Sequence, residues 1–161
     1  MASFIGEYIC KIDEKGRIAL PAGLRRQLAP EAKDRFVVNR GFEKHLNLYP
    51  GNEWNAISNQ LNQLNLFVKR NREFLRKFNN GATELELDAA GRILLPKSLL
   101  VYAGINKEVV LFAYANRVEL WNRADYEASL ETHDEDFADL AEEVMGKITK
   151  DHTKPNDAEL S

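Results

Sequence analysis

The sequence predicts an α+β fold, mainly β, made of two tandem copies of a β-turn-β-α-β-β unit. Segment 13–21 reads DEKGRIALP and segment 88–96 reads DAAGRILLP, so six of nine residue types recur at identical positions, 75 residues apart. Short strand-like segments surround each copy, and a unit of about 50 residues is small for a core of its own. The two copies are therefore expected to share one core, in a compact β-barrel or sandwich with helices outside.

In the first copy, residues 4–12 alternate between apolar and polar side chains, which predicts a half-buried strand. Residues 13–16 form a turn, because aspartate caps nearby N–H groups and glycine tolerates a positive φ. Pro21 begins a short helix, and Pro30 ends it. The later elements of this copy are strands 35–39 and 45–49 and an amphipathic helix between Trp54 and Leu64.

The second copy follows a strongly basic helix at residues 67–79, which Gly81 ends. The same order of elements then returns, with the turn at 88–91 and a helix that begins at Pro96. Its strands and last helix are predicted at 83–87, 109–113 and 117–121, and from Asp125 onward. The chain thus divides into five predicted segments: a first unit with trailing helix (3–66), a basic connecting helix (67–81), a second unit (82–131), a C-terminal helix (132–148) and a disordered tail (149–161).

The net charge of −3 conceals an uneven distribution. Residues from Glu131 to the end carry a net charge of −7, so residues 1–130 carry +4. Binding to phosphate depends on local basic patches rather than on the total charge. The acidic total therefore does not exclude a nucleic-acid partner for the body of the protein.

Membrane, disulfide and catalytic functions find little support in the sequence. No apolar run approaches the ~20 residues that span a membrane, and the first residues lack signal-peptide features, so a cytoplasmic location is expected. One cysteine excludes an internal disulfide and a cysteine-based metal cluster. The histidines lack metal-ligand spacing, and no nucleophile elbow or phosphate-binding loop occurs. We predict no enzyme, catalytic residue, cofactor, metal or small-molecule substrate, and we expect the aromatic residues to lie in the core.

The repeated turn allows two interpretations. In the first, the turn is structural: the aspartates cap it, the glycines relax its backbone, and the arginines pair back onto the aspartates. The residues concerned are Asp13, Gly16 and Arg17 in the first copy and Asp88, Gly91 and Arg92 in the second. In the second interpretation, the turn presents a guanidinium that binds a phosphate or the O6/N7 edge of guanine through two parallel hydrogen bonds. Lys15 adds a charge at the first tip.

Two copies of Asp-x-x-Gly-Arg-Ile-x-Leu-Pro resemble the MraZ family of bacterial transcriptional regulators, which belongs with the AbrB/SpoVT-like swapped-hairpin DNA-binding folds. The resemblance covers about residues 3–145. Beyond the repeated motif it includes the sequences LYP at 48–50, EW at 53–54, NGA at 80–82 and VELW at 118–121.

The resemblance implies that two AbrB-like units form a pseudo-symmetric double-hairpin barrel and that subunits form a closed homo-oligomeric ring. It implies a nucleoid-associated, sequence-specific regulator that binds direct repeats of double-stranded DNA in the promoter of its own cell-division and cell-wall operon, usually as a repressor. By position in the motif, the implied DNA-binding residues are Lys15, Arg17 and Arg92. Ala90 stands where the family often has lysine, so we expect the second turn to bind less strongly.

Two questions remain open at the level of sequence. The alternative function is a non-enzymatic protein–protein interaction ring, antitoxin-like or a scaffold, whose turns bind an acidic partner. For the basic residues within 69–77, a solvated helix face or a subunit contact is favoured over a DNA contact. The sequence does not decide whether Arg25 and Arg26 face DNA.

Overall fold

The computed structural model describes residues 3–131 and 136–152, and over those ranges it contains eight strands and six α-helices. The strands are β1 (Phe4–Lys11), β2 (Arg17–Ala19), β3 (Arg35–Arg40), β4 (Leu46–Pro50), β5 (Thr83–Glu86), β6 (Arg92–Leu94), β7 (Glu108–Ala115) and β8 (Arg117–Trp121). The helices are α1 (Ala22–Arg25), α2 (Gly51–Leu61), α3 (Lys69–Phe78), α4 (Lys97–Ala103), α5 (Arg123–Leu130) and α6 (Phe137–His152). The predicted α+β class is confirmed.

The chain divides into two compact units, one within Met1–Tyr126 and one within Glu127–Ser161. The eight strands of the two repeats all belong to the first unit. In the second unit, α6 continues to His152, so the helix extends four residues past the predicted boundary at 148. The rest of the predicted disordered tail, residues 153–161, lies outside the described residues.

The strands of the two repeats interlock. Six strands form one antiparallel sheet in the order β1-β7-β8-β4-β3-β5, and β2 pairs with β6 in a separate two-stranded ribbon. The first strand of each repeat therefore pairs with the third strand of the other repeat, as β1 with β7 and β5 with β3. Because each repeat completes the sheet of the other, neither could form this structure alone.

A pseudo-twofold axis relates the two repeats, and the strand register locates it. Ile18 pairs with Ile93 at the centre of the ribbon, and these residues occupy equivalent positions in the repeat. Asn47 pairs with Glu119 in the centre of the sheet, and they are equivalent as well. The axis passes between the members of each pair, through the ribbon and through the sheet.

One hydrophobic core serves both repeats, as predicted. Ile18, Leu20 and Leu24 of the first copy are buried in it together with their counterparts from the second, Ile93, Leu95 and Leu99. Burial of a side chain of this size contributes roughly 1.5–3 kcal/mol to folding. The core thus fixes the ribbon against the sheet and with it the turns that lead into β2 and β6.

Beyond this core, a buried polar cluster lies next to the pseudo-twofold axis. The His45 ring stacks on Trp121 with centroids 4.4 Å apart, and His45 Nε2 lies 3.4 Å from Glu119 Oε2. Burial alone would raise the pKa of Glu119, but hydrogen bonds from His45, Trp121 and Tyr114 outweigh burial and lower it. The cluster lets a carboxylate remain charged inside the sheet region.

The expectation that the aromatic residues lie in the core is wrong for several phenylalanines. Phe42 is 80% exposed, on the connection between β3 and β4, and Phe67 is 95% exposed. Phe67 was predicted to begin the basic helix at residues 67–79, but α3 begins only at Lys69, so Phe67 precedes the helix. Among the described residues, no helix combines the length and the apolar character needed to cross a membrane.

Candidate nucleic-acid interface

The first turn is held by the carboxylate of Asp13. Asp13 Oδ1 accepts hydrogen bonds from the backbone N–H of Lys15 at 3.0 Å and of Arg17 at 2.8 Å. The turn closes where Gly16 N donates to the carbonyl of Asp13 at 3.0 Å, and Gly16 takes a φ of +88° that favours glycine. The backbone of this turn is therefore fixed by local bonds, while Lys15 stays exposed at its tip.

The second turn repeats this geometry. Asp88 Oδ1 accepts from Ala90 N and Arg92 N, each at 2.9 Å. Gly91 N donates to the carbonyl of Asp88 at 2.9 Å, with Gly91 at a φ of +74°. The sequence repeat is thus a repeat of hydrogen bonds as well as of residue types.

The two turns also support each other through the ribbon. Leu20 N donates to the Gly91 carbonyl, and Leu95 N donates to the Gly16 carbonyl, each at 3.0 Å. These reciprocal bonds obey the pseudo-twofold axis between Ile18 and Ile93. The orientation of one turn is consequently tied to that of the other.

Both arginines pair back onto their aspartates, as the structural interpretation of the turn predicted. Arg17 Nε donates to Asp13 Oδ2 at 2.7 Å, and Arg92 Nε donates to Asp88 Oδ2 at 2.9 Å. The side chains of Arg17 and Arg92 are nonetheless 29% and 36% exposed. The ion pair occupies Nε and therefore orients the guanidinium, whose two Nη groups can still donate side by side to a phosphate or a guanine.

Hydrogen bonds within each turn lower the pKa of its aspartate. The hydrogen bond from the backbone of Arg17 is the main cause that lowers the pKa of Asp13, and the side-chain bond from Arg17 adds to it. The pKa of Asp88 is lowered in the same way by Arg92. Both carboxylates therefore stay ionised at neutral pH and keep the arginines in place.

Arg25 is a basic residue whose position the sequence could not assign. It follows the first turn in the chain, yet it lies against the second turn: a Cβ added at Gly91 would be 2.6 Å from Arg25 Nη1. The equivalent of Arg25 in the second copy is Leu100, whose Cδ1 would lie 3.4 Å from a Cβ on Gly16. The signal available in the sequence was this difference between the copies, because one carries a cation where the other carries leucine.

A groove flanks each turn, and each groove contains additional basic residues. The groove beside the first turn measures about 400 Å³ and includes Lys15 and Lys97. The groove beside the second turn measures about 640 Å³ and includes Arg25 and Lys33. The second turn lacks a lysine at position 90, but its surroundings supply cations from other elements of the chain.

The basic helix α3 is anchored through its apolar side. Phe78 stacks on Trp54 with centroids 6.0 Å apart, and Trp54 contacts Tyr49 of β4 at 5.6 Å. Asn39 Nδ2 also donates to the Phe78 carbonyl at 3.0 Å. Through these contacts α3 is tied to β3 and β4, whereas Arg17 and Arg92 lie on the ribbon. This arrangement favours the solvated face or subunit contact for the basic residues of α3.

Within residues 3–131 and 136–152, no group of three or more histidine, cysteine or acidic side chains is arranged to hold a metal ion. The features that stand out are two rigid turns, each with an oriented guanidinium, on an interlocked β-hairpin scaffold. They define the class of protein as a double-hairpin protein with two arginine-bearing turns.

Comparison with known proteins identifies the family. The family described as "MraZ protein", with an added comparison to antitoxins, matches residues 3–77 and again residues 78–148. A relative from Christiangramia forsetii is 49% identical over 147 residues, 91% of this chain and 95% of the relative. A relative from Flavobacterium psychrophilum is 43% identical over 152 residues, 94% of this chain and 97% of the relative. One from Pediococcus pentosaceus is 39% identical over 142 residues, 88% of this chain and 96% of the relative.

All three relatives are named transcriptional regulator MraZ. The chain belongs to the MraZ family, and the resemblance found in its sequence is thereby confirmed. The two matches divide the chain near residue 77, so the family itself is built from two repeats.

Proposed function

We propose that this protein is a sequence-specific regulator of transcription that binds double-stranded DNA through its two arginine turns. Lys15, Arg17 and Arg92 make the contacts, and Arg25 adds a cation beside the second turn. The observation that carries the proposal is the duplicated ion pair, Arg17 on Asp13 and Arg92 on Asp88, which orients two guanidinium groups on one rigid ribbon. Relatives named as transcriptional regulators support it.

The chemistry of the proposal follows from the guanidinium geometry. An arginine held at Nε keeps two parallel donors, which match a phosphate or the O6 and N7 atoms of guanine in the major groove. A two-stranded ribbon is narrow enough to enter that groove. The net charge of +4 over residues 1–130 adds a general attraction to the DNA backbone.

A single subunit would bind weakly. With few phosphate contacts its affinity stays near the non-specific range of ~10⁻⁴–10⁻⁶ M. We propose that subunits assemble into a closed ring, so that several identical pairs of turns reach direct repeats at once and gain affinity without new contacts. The proposed target is the promoter of its own cell-division and cell-wall operon, which the protein represses from a nucleoid-associated position in the cytoplasm.

Selection of bound fragments from random-sequence DNA tests this function. The expected result is enrichment of a short motif that recurs in direct repeat, with an affinity that falls steeply as salt rises, because phosphate contacts release counterions. Fragments recovered without a shared motif, or an affinity insensitive to salt, would contradict the proposal.

The family description also compares these proteins with antitoxins. This favours a second candidate function, in which the protein forms a ring whose turns bind an acidic protein. The same arginine turns could pair with carboxylates. Salt-insensitive binding to a protein partner, with no enrichment of any DNA sequence, would favour this alternative.

A further inference from the structure

A cavity of about 430 Å³ lies apart from the arginine turns, between the β3–β4 connection, the end of α3 and α4. Its volume falls within the ~300–1,000 Å³ of small-molecule sites. Its lining combines aromatic and cationic side chains: Phe42, Phe74, Phe78, Tyr102, Arg40 and Lys77. Neither the family name nor the proposed function gives these residues a role.

The aromatic walls are ordered around one anchored ring. Phe78 is fixed by its stack on Trp54, and Phe74 stacks on Phe78 with centroids 5.7 Å apart. Phe74 is 42% exposed, and Phe42, on the β3–β4 connection, is largely open to solvent. Binding of an apolar ligand here is favoured, because the ligand removes this exposed apolar surface from water.

The charged part of the lining is cationic. The Arg40 guanidinium carbon lies 4.5 Å from the centroid of the Tyr102 ring. Arg40 Nε is buried, and it donates to no acceptor among the described residues. Because this Nε is closed to solvent, the Nη groups of Arg40 are the donors left for a ligand in the cavity. Lys77 adds a second positive charge at the exposed rim.

No aspartate or glutamate of the described chain lines this cavity, so its own residues do not neutralise these two cations there. The lining therefore selects against cationic ligands and favours an anion. The stacked phenylalanines favour a flat apolar body over a purely polar ion such as inorganic phosphate. Charge and shape together specify a small molecule with an aromatic ring and one negative group.

We propose that this cavity binds an aromatic carboxylate. The carboxylate accepts hydrogen bonds from Arg40 and Lys77, and the ring lies against Phe42, Phe74 and Phe78. The proposal concerns a ligand that binds and is released unchanged.

Isothermal titration of the full chain with 1-naphthoate, and with the neutral 1-naphthamide as the matched ligand, tests the proposal. The acid is expected to bind at least about tenfold more tightly than the amide, because only the acid makes charge-assisted bonds to Arg40 and Lys77. Lys77→Met should weaken the binding of naphthoate by about the same factor and leave the affinity for naphthamide unchanged. Phe42→Ala should weaken both ligands, since it removes part of the shared aromatic wall.

Arg76→Met provides the control variant. Arg76 is exposed on the same helix, one residue before Lys77, and does not line the cavity. The Arg76→Met protein should bind naphthoate with the affinity of the unchanged protein. Melting curves establish that each variant is folded. The proposal would be overturned by equal affinities for the acid and the amide, or by the absence of any heat of binding for naphthoate. A loss of naphthoate affinity in Arg76→Met equal to that in Lys77→Met would also overturn it.

The cavity could instead be filled by a second copy of the chain, and a measurement of assembly mass distinguishes the two cases. If Phe42→Ala lowers the mass of the assembly in light scattering, and naphthoate binds only to the dissociated protein, the cavity is a subunit contact and the proposal is wrong. Naphthoate binding with the same affinity over a range of protein concentrations, at unchanged mass, supports a ligand site.

Discussion

Arg25 of the first repeat lies against Gly91 of the second, with its Nη1 only 2.6 Å from where a Cβ on Gly91 would be. The interlocked strands cause this contact, since they carry α1 away from the turn that precedes it in the chain. Leu100 takes the equivalent place beside Gly16. The two turns therefore differ in a complementary way: the first carries Lys15 at its tip, and the second has Arg25 at its side.

We expect Arg25→Met to weaken DNA binding by about fivefold, because it removes one phosphate-directed charge worth roughly 1 kcal/mol. Fluorescence anisotropy over a salt series measures this. The slope of log affinity against log salt should become shallower by about 0.9 for each phosphate that the variant no longer neutralises. Arg26→Met is the matched control, because Arg26 is the adjacent arginine, is also exposed, and should change binding less. Equal losses of affinity in both variants would show that only net charge matters.

Arg17→Ala should reduce DNA binding by about tenfold or more while the protein remains folded, since two parallel donors are removed but exposed ion pairs contribute little to stability. Mobility shift on the protein's own promoter, together with a melting curve, measures both effects. Arg17→Lys should not restore binding, because an ammonium cannot donate in parallel. A folded Arg17→Ala that binds normally would remove this residue from the interface.

Arg92→Ala tests whether the second turn contributes less to DNA binding than the first. Ala90 leaves the second tip without a lysine, so Arg92→Ala should cost less binding than Arg17→Ala. Arg25 compensates for part of that missing charge, and the double variant Arg25→Met with Arg92→Ala should approach the loss seen for Arg17→Ala. A loss in Arg92→Ala alone that equals or exceeds that of Arg17→Ala would contradict the expected order.

The geometry of the turns could be predicted from sequence because it is local. Asp13 and Arg17 are four residues apart, and the hydrogen bonds that the Asp13 carboxylate accepts from Lys15 and Arg17 fall within that span. The repeat of the same spacing at Asp88 and Arg92 predicted a second identical turn and, through the small size of each unit, a shared core. The interlocking of the strands was predicted from the resemblance to a swapped-hairpin family, because the periodicity of the sequence alone does not indicate which strands pair.

The contacts that escaped prediction are those between distant segments. Arg25 and Gly91 are brought together only by the exchange of strands, so the position of Arg25 in the sequence, close to the first turn, does not reveal this contact. The exposure of Phe42 depends on which elements cover the β3–β4 connection, and residue type alone suggested burial. In both cases contacts between segments distant in the sequence determine where the side chain lies.

Gly91→Ala should lower the free energy of unfolding by about 1–2 kcal/mol, because alanine is strained at a φ of +74°. It should also weaken DNA binding, since the new Cβ would displace the Arg25 guanidinium. Gly16→Ala should destabilise at least as much, because its Cβ would lie 3.3 Å from the backbone oxygen of Leu95. Urea unfolding measures the stability, and anisotropy measures the binding.

Gly146 provides the control for these substitutions. It lies in α6, and a Cβ added there meets nothing within 4 Å. Gly146→Ala should leave stability unchanged or raise it by up to about 1 kcal/mol, because alanine favours a helix. Destabilisation by Gly146→Ala equal to that of Gly91→Ala would show that the effect does not arise from the turn.

The aspartates predict a specific dependence of stability on acid. The folded pKa of Asp13 and of Asp88 lies below the ordinary value of 3.8, chiefly because backbone N–H groups of Arg17 and Arg92 bind the charged form. A carboxyl whose pKa is lowered by folding stabilises the protein above its unfolded pKa, and that contribution is lost as pH falls through the folded pKa. The turns should therefore contribute fully at neutral pH and progressively less below a pH of about 4.

The double variant Asp13→Asn with Asp88→Asn isolates this contribution, because asparagine keeps the oxygen that accepts the backbone bonds but cannot ionise. Urea unfolding of both proteins between neutral and strongly acidic pH should show the unchanged protein more stable at neutral pH, with the difference shrinking as the carboxyls protonate. A difference that stays constant down to the lowest pH at which both proteins fold would mean that the charge on Asp13 and Asp88 does not stabilise the turns. In that case Arg17 and Arg92 are held by geometry alone, and their orientation toward DNA would not depend on the ion pairs.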